Sequence, residues 1–387
     1  MTDTDLVRRL LSDPRVVKNA REHWPALRNG EVPADWPLHP LVSVQNMFTS
    51  DGQDHRRLRR LVTGAFTPRR IEAMRPSIER ITADLLDRLA AVPPGRPVDL
   101  HAQYAYPLPT QLVCDLFGVP EPMRAEVRRV TDAILTTQVT QEQAAANATD
   151  LYAAMHALVA AKRDAPGDDM TSGLIAATDT DSDSRLTEDE LVSTLILMIG
   201  AGAETTVNLI GNAVVALLTT PGQLDLVRDS RATWDDVVEE ALRVLPPVMH
   251  LPLRFTTEDV VVDANTVIRA GEPVLIAFGA PGRDPAVHGP TADAFDVTRE
   301  DKSHLAFGHG AHFCLGAALA RLEAGIALPA LFDRFPDLAL AVPAGELRPQ
   351  PSFINPGHQA VPAVLRPAAG GAPVAAGAVV GDRNTPG

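Results

Sequence analysis

One of the chain's two cysteines, Cys314, stands in "HLAFGHGAHFCLGAALARLE" (304–323), between a loop rich in glycine and histidine and an apolar pattern of helical period. A thiol placed there can be a buried filler, a zinc ligand, a nucleophile or a heme ligand. A structural zinc site needs four closely held nitrogen or sulfur ligands, often with paired cysteines. His304, His309 and His312 lie nearby, but the other cysteine, Cys114, sits far away in "PTQLVCDLFG" and reads as apolar filler. A nucleophile wants a base, and no elbow of the G-x-S-x-G kind frames Cys314. A heme thiolate makes use of what is present. Glycines beside the sulfur let backbone approach a flat macrocycle, and a helix starting just after it aims free N–H groups and a positive dipole end at the sulfur. Those donors keep the sulfur ionised and tune an iron bound to it.

Three further clusters carry chemistry. Glu240 and Arg243, three apart in "EEALRV", share a helix face; as an exposed pair they contribute under about 1 kcal/mol. "AGAETT" (201–206) sets an acid and an alcohol, Glu204 and Thr205, inside a long helical pattern. Small residues there suit helix packing. Yet Gly200 and Gly202 each cost roughly 1 kcal/mol against alanine in a helix, which points to a deliberate local widening. "DHRRLRR" places His55 and Arg59 on one face, four apart, and leaves Arg56, Arg57 and Arg60 elsewhere on the same helix. That remainder is a solvated face or a basic patch able to dock an acidic electron donor.

Phe307, Gly310, Cys314 and Gly316 form F-x-x-G-x-x-x-C-x-G, which resembles the heme-binding loop of the cytochrome P-450 family. Glu240 and Arg243 match that family's E-x-x-R, and Ala201–Thr206 its oxygen-activating groove, in that order along the chain. The resemblance spans about residues 5–366 and is nearest to soluble bacterial members that tailor secondary metabolites. It implies a mainly α, P-450-like helical fold with small β-sheets, and heme b (iron protoporphyrin IX) held through Cys314 as the only metal ligand. It implies a buried structural role for Glu240–Arg243, and propionate partners at His55, Arg59, Arg254 and His312. Ala201, Phe307, Gly310 and Gly316 would border the heme. Thr205 would steady dioxygen while Glu204 relays protons. The implied reaction is monooxygenation of a hydrophobic small molecule of macrolide or polyketide, steroid or terpenoid type, using O2. Electrons would come from NAD(P)H through ferredoxin reductase and ferredoxin, because the chain shows no strand–G-x-G-x-x-G–helix unit of its own. A peroxide-driven enzyme is the nearer rival, although such members replace the acid–alcohol pair; a heme protein that binds a ligand without turnover is the other. The family's leading helix and first strands have no counterpart before "DLVRRLLSDPRVVK", so the fold is expected to lack them and to leave a sheet edge open beside "DVVV" and "PVLIAF".

The elements that must position these residues can be read from pattern. The chain is helical up to about Leu245, with segments near 53–64, 68–91, 107–117, 121–137 and 142–163. An irregular stretch over 23–50 interrupts them. A capping box at Thr187 and Glu190 opens the longest helix, which runs to Pro221-Gly222. From 251 to 280 short β-branched runs predict a small antiparallel sheet; "SFINPGHQAVPAVL" predicts a closing hairpin. Residues 23–50, Ala201, Val248–Leu253, Phe353 and Ile354 are the expected substrate lining. Residues 1–366 read as one catalytic domain and 367–387 as a disordered low-complexity tail. With 387 residues, 45% of them hydrophobic, the chain can bury a large core. Two cysteines exclude a disulfide framework and fit a reducing cytoplasm. The start has no secretory pattern, and the apolar run Leu191–Ala203 is too short for a bilayer of about 20 helical residues. A net charge of −14 argues against nucleic acid as a partner.

Overall fold

The computed structural model describes residues 3–367 except 34, 35, 37, 65, 136–139 and 180–183. The expected tail, 367–387, lies outside the described residues from 368 onward. Asp3 caps the first helix, α1 (Thr4–Ser12), by accepting from the Leu6 N–H, and Val7, Leu10 and Leu11 form its buried face. After β1 (Val16–Val17), the stretch expected to be irregular contains short helical turns at Ala20–His23, Pro25–Arg28 and His39–Ser43. Trp24 stacks on Phe255 at 5.2 Å and meets Trp36 edge-on at 5.8 Å, so aromatic packing holds the segment where no periodic pattern announced it.

The helix α2 (Gly52–Thr63) follows, burying His55, Leu58, Leu61 and Val62. The single helix expected over 68–91 is two, a turn at Pro68–Glu72 and then α3 (Arg75–Ala90). Pro76 lies in the first turn of α3, where its missing N–H costs nothing, so a new helix starts there instead of an old one continuing. Then come β2 (Pro97–Asp99), a π-helical turn at His101–Ala105, α4 (Pro107–Leu116), α5 (Glu121–Leu135) and α6 (Gln141–Asp164).

Thr187 and Glu190 form the expected capping box of α7 (Glu188–Thr219), 32 residues long. It packs against α4 and α6, and against α8 (Trp234–Val244) and α9 (Ala317–Arg334). By length and composition the whole of α7 could cross a membrane, contrary to the expectation drawn from Leu191–Ala203 alone; but 61% of its apolar window is buried in the protein. It serves as the helix around which the others pack. The expected widening at Gly200 and Gly202 is also absent, since the α-helix is regular through both.

Three small sheets complete the fold. β3 (His250–Thr256) lies between β1 and β6 (Pro273–Ala277), antiparallel to both. Among the described residues β6 pairs only with β3, and Leu275 on it is 41% exposed. β4 (Val260–Val261) pairs with β5 (Val267–Ile268). The third sheet sets β8 (Pro362–Val364) between β2 and β7 (Ala339–Leu340). The closing hairpin is therefore reduced to one bridge, Pro349 to His358, because β8 finds partners far away in sequence.

Candidate active site

The Cys314 loop is fixed from several directions. Gly310 has φ +74°, and a Cβ there would stand 3.0 Å from the Leu11 carbonyl of α1. Glycine at 310 is thus required by a left-handed turn pressed against α1. The Cys314 N–H donates to the Phe307 carbonyl at 2.8 Å. Arg321 lies 4.6 Å over the Phe307 ring and also reaches Glu239, which accepts from His304 as well at 3.1 Å. Burial works against the Glu239 anion, yet these two donors outweigh it and bring its pKa down to about 2. Leu315, next to the cysteine, packs against the hydrophobic cluster to which Ile199 and Ala203 of α7 belong.

Cys314 retains exposed surface although protein surrounds its sulfur closely enough for burial to raise the thiol pKa. The Gly316 N–H and the charges of Arg59 and Arg321 pull the other way without prevailing. A thiol held protonated is a poor nucleophile, and a metal that displaces its proton fits the site better. Among the described residues no three His, Cys, Asp or Glu side chains converge, so a zinc set does not form around it. Cys114 is buried in the core, as expected of a filler.

The four expected propionate partners converge. The His55 ring on α2 lies 4.1 Å from that of His312, and its Nε2 is buried without a hydrogen bond. Arg254 on β3 is only 6% exposed, and desolvation lowers its pKa to about 10. Arg59 donates to the Phe313 carbonyl at 2.8 Å. An orphaned imidazole nitrogen and a desolvated guanidinium suit the carboxylates of a heme. Asp51 was not expected. It stands 3.8 Å from His312 and accepts from the Lys18 and Asn19 N–H groups at 2.7 and 2.8 Å. The basic patch, by contrast, is largely spent. Arg57 pairs with Glu190 and Arg60, itself exposed, with the fully buried Asp179 carboxylate, and Arg56 is exposed too.

Behind the loop, Glu240 and Arg243 have fully buried side chains, joined at 2.6 and 2.7 Å. Arg243 also donates to the carbonyls of Gly282, Ala292 and Ala294, and Arg299 stands 3.5 Å from Glu240. Arg299 lies 59 residues beyond Glu240, too far for local spacing to reveal it.

On α7 the Thr205 hydroxyl donates to the Ala201 carbonyl at 2.8 Å. Glu204 accepts from Asn208 on its own helix and from Gln350, both at 3.2 Å. Gln350 comes from the C-terminal loop, so no motif could have named it. Glu204 also borders a cavity of about 20 Å³ shared with Thr110, Arg128 and Ile199, room for one water. Of the expected substrate lining, two segments are tied together. The Met249 N–H donates to the Ile354 carbonyl at 2.7 Å, and His250 Nδ1 lies 2.9 Å from the Phe353 carbonyl.

Comparison with known proteins agrees with this geometry. The cytochrome P-450 family model matches residues 110–338. The structure of CYP154A1 from Streptomyces coelicolor superposes with a TM-score of 0.89 at 52% identity, covering 95% of this chain and 91% of that one. CYP154C4 from a Streptomyces species, solved with testosterone bound, gives 0.90 at 46% identity over 95% and 89%. The 2-hydroxy-5-methyl-1-naphthoate 7-hydroxylase of Streptomyces carzinostaticus is 46% identical over 94% of this chain and 88% of its own length. The chain belongs to the cytochrome P-450 family and is a heme-thiolate monooxygenase.

Proposed function

We propose that Cys314 would hold heme b through its thiolate and that the enzyme hydroxylates a hydrophobic small molecule of polyketide, steroid or terpenoid type in the cytoplasm. NAD(P)H would supply the electrons through ferredoxin reductase and ferredoxin. The observation that carries the assignment is the setting of Cys314: exposed surface inside a closely packed surround, an N–H from Gly316, and nearby donors, the guanidinium groups of Arg59 and buried Arg254 with the imidazoles of His55 and His312, suited to two propionates. Bound there, heme supplies the oxygen chemistry, in which one atom of O2 enters a C–H bond and the other leaves as water.

The chain's own residues bind, orient and deliver protons. Arg321 and Glu239 hold Phe307 and His304, and so the loop. Releasing the hydrogen bond to Ala201 frees the Thr205 hydroxyl to donate into the site. Asn208 and Gln350 hold Glu204 beside a one-water cavity, from which it can be reprotonated. An intact acid–alcohol pair favours reductase-coupled turnover over a peroxide-driven reaction. The relatives named for a naphthoate and solved with a steroid support a fused-ring or polyketide substrate.

The test is the reduced, CO-bound spectrum. Cys314→Ala should lose the band typical of thiolate ligation, whereas Cys114→Ala should keep it. A Cys314→Ala protein that retained the band would overturn the assignment.

A further inference from the structure

Lys18 is an unassigned cation in the middle of this group. It is 5% exposed, and its ammonium has no hydrogen-bond acceptor among the described residues. Its close neighbour is the Phe48 ring, with Nζ 3.2 Å from the centroid. β1 pairs Val16 with Thr256 and Val17 with Phe255, so the next step of that register sets Lys18 opposite Arg254. Two like charges across a strand pair repel, and more strongly when buried. Burial, with Arg254 adding to it, drives the Lys18 pKa well down; Asp51 is the anion that opposes this.

The charge in this group does not close. Lys18, Arg59 and Arg254 face the single carboxylate of Asp51, while Arg56 points to solvent. Lys18 and Arg254 are buried and Arg59 is half-buried, so a surplus of two positive charges here is costly unless a dianion joins them. The cation–π contact with Phe48 offsets only part of that cost.

We infer that Lys18 is a heme-binding residue, its ammonium donating to a propionate carboxylate beside Arg254, so that heme's two carboxylates bring the group to neutrality. The inference rests on the heme reading above and adds a ligand that neither the heme loop nor the α2 motif contains. A lysine at the end of β1 also ties cofactor retention to the packing of β1 on β3.

The experiment measures heme transfer from purified holoprotein to excess apomyoglobin for wild type, Lys18→Met and Lys18→Arg. Loss of one charge-assisted hydrogen bond should speed release from Lys18→Met by about tenfold or more. Lys18→Arg should stay within about threefold of wild type, because it keeps the charge. Two results would overturn the inference. One is release from Lys18→Met at the wild-type rate; the other is equal acceleration in both variants, which would mark a packing role against Phe48. The CO-bound band is read on the same samples. A thiolate band in all three shows that the Cys314 assignment stands whatever Lys18 does, and its absence from wild type would sink that assignment instead.

Discussion

Thr205 and Glu204 are neighbours in sequence, but the structure holds them by different means. The threonine is tied to its own helix through the Ala201 carbonyl, a bond that breaks by rotation about one side-chain torsion. The glutamate is clamped by two amides, one of them brought by Gln350 from the C-terminal loop. Replacing the alcohol therefore removes a mobile donor without disturbing the fold. Thr205→Ala should bind heme and substrate normally but divert electrons to hydrogen peroxide, with product per NADPH falling at least severalfold. Gln350→Leu should have a milder effect of the same sign, because Asn208 still holds the acid. The readout is product and peroxide per NADPH consumed; unchanged coupling in Thr205→Ala and in Glu204→Gln would remove both from the proton path.

At the scale of elements, α8 is the strut behind the heme loop, and its value lies in what Arg243 satisfies. Five donor contacts run from one buried guanidinium to Glu240 and to three carbonyls of the 282–294 segment. Arg243→Met would leave the Glu240 carboxylate buried with only Arg299 and the Asp296 N–H beside it among the described residues, at a cost of about 3–5 kcal/mol. The loss should appear in urea denaturation of the holoprotein, and a loss below about 1 kcal/mol would mean that the pair behaves as an exposed one. This case also shows what the sequence could disclose. Contacts of short span were legible: the E-x-x-R pair, the capping box of α7, the His55–Arg59 face, the cysteine loop. Contacts between distant segments were not, which is why Arg299, Asp51, Glu239 and Gln350 went unread and why the last hairpin dissolved into a sheet with β2. Composition misled once as well, since the helix cost of Gly200 and Gly202 suggested a distortion that the backbone does not show. Nor does space demand glycine: a Cβ at Gly202 would meet Val113 of α4 at 3.4 Å, an ordinary contact, and one at Gly200 would meet nothing within 4 Å.

For the molecule as a whole, carboxylates on one side of the core hold the cysteine loop down, and this sets its response to acid. On α8, Glu239 binds His304 and Arg321, and Asp236 binds Lys302. Burial opposes ionisation in both, but the donors prevail and take each pKa to about 2, below ordinary values of 4.5 and 3.8. A depressed carboxylate stabilises the fold fully above its unfolded pKa and loses that contribution as pH falls toward the folded one. The clamp should therefore be constant from pH 8 to about 5 and weaken between roughly pH 4.5 and 2. Glu239→Gln should cost about 2 kcal/mol at pH 7, allowing for a carboxylate that is 31% exposed. The difference from wild type should shrink steadily below pH 4.5. Denaturant titrations of both proteins at pH 7, 5 and 3.5, read by the heme absorption and by far-UV circular dichroism, measure this directly. A gap between the two proteins that stayed the same at pH 3.5 would show that Glu239 acts by packing, with its charge irrelevant. A gap that closed would place this part of the acid sensitivity of heme retention in the Glu239 carboxylate of α8.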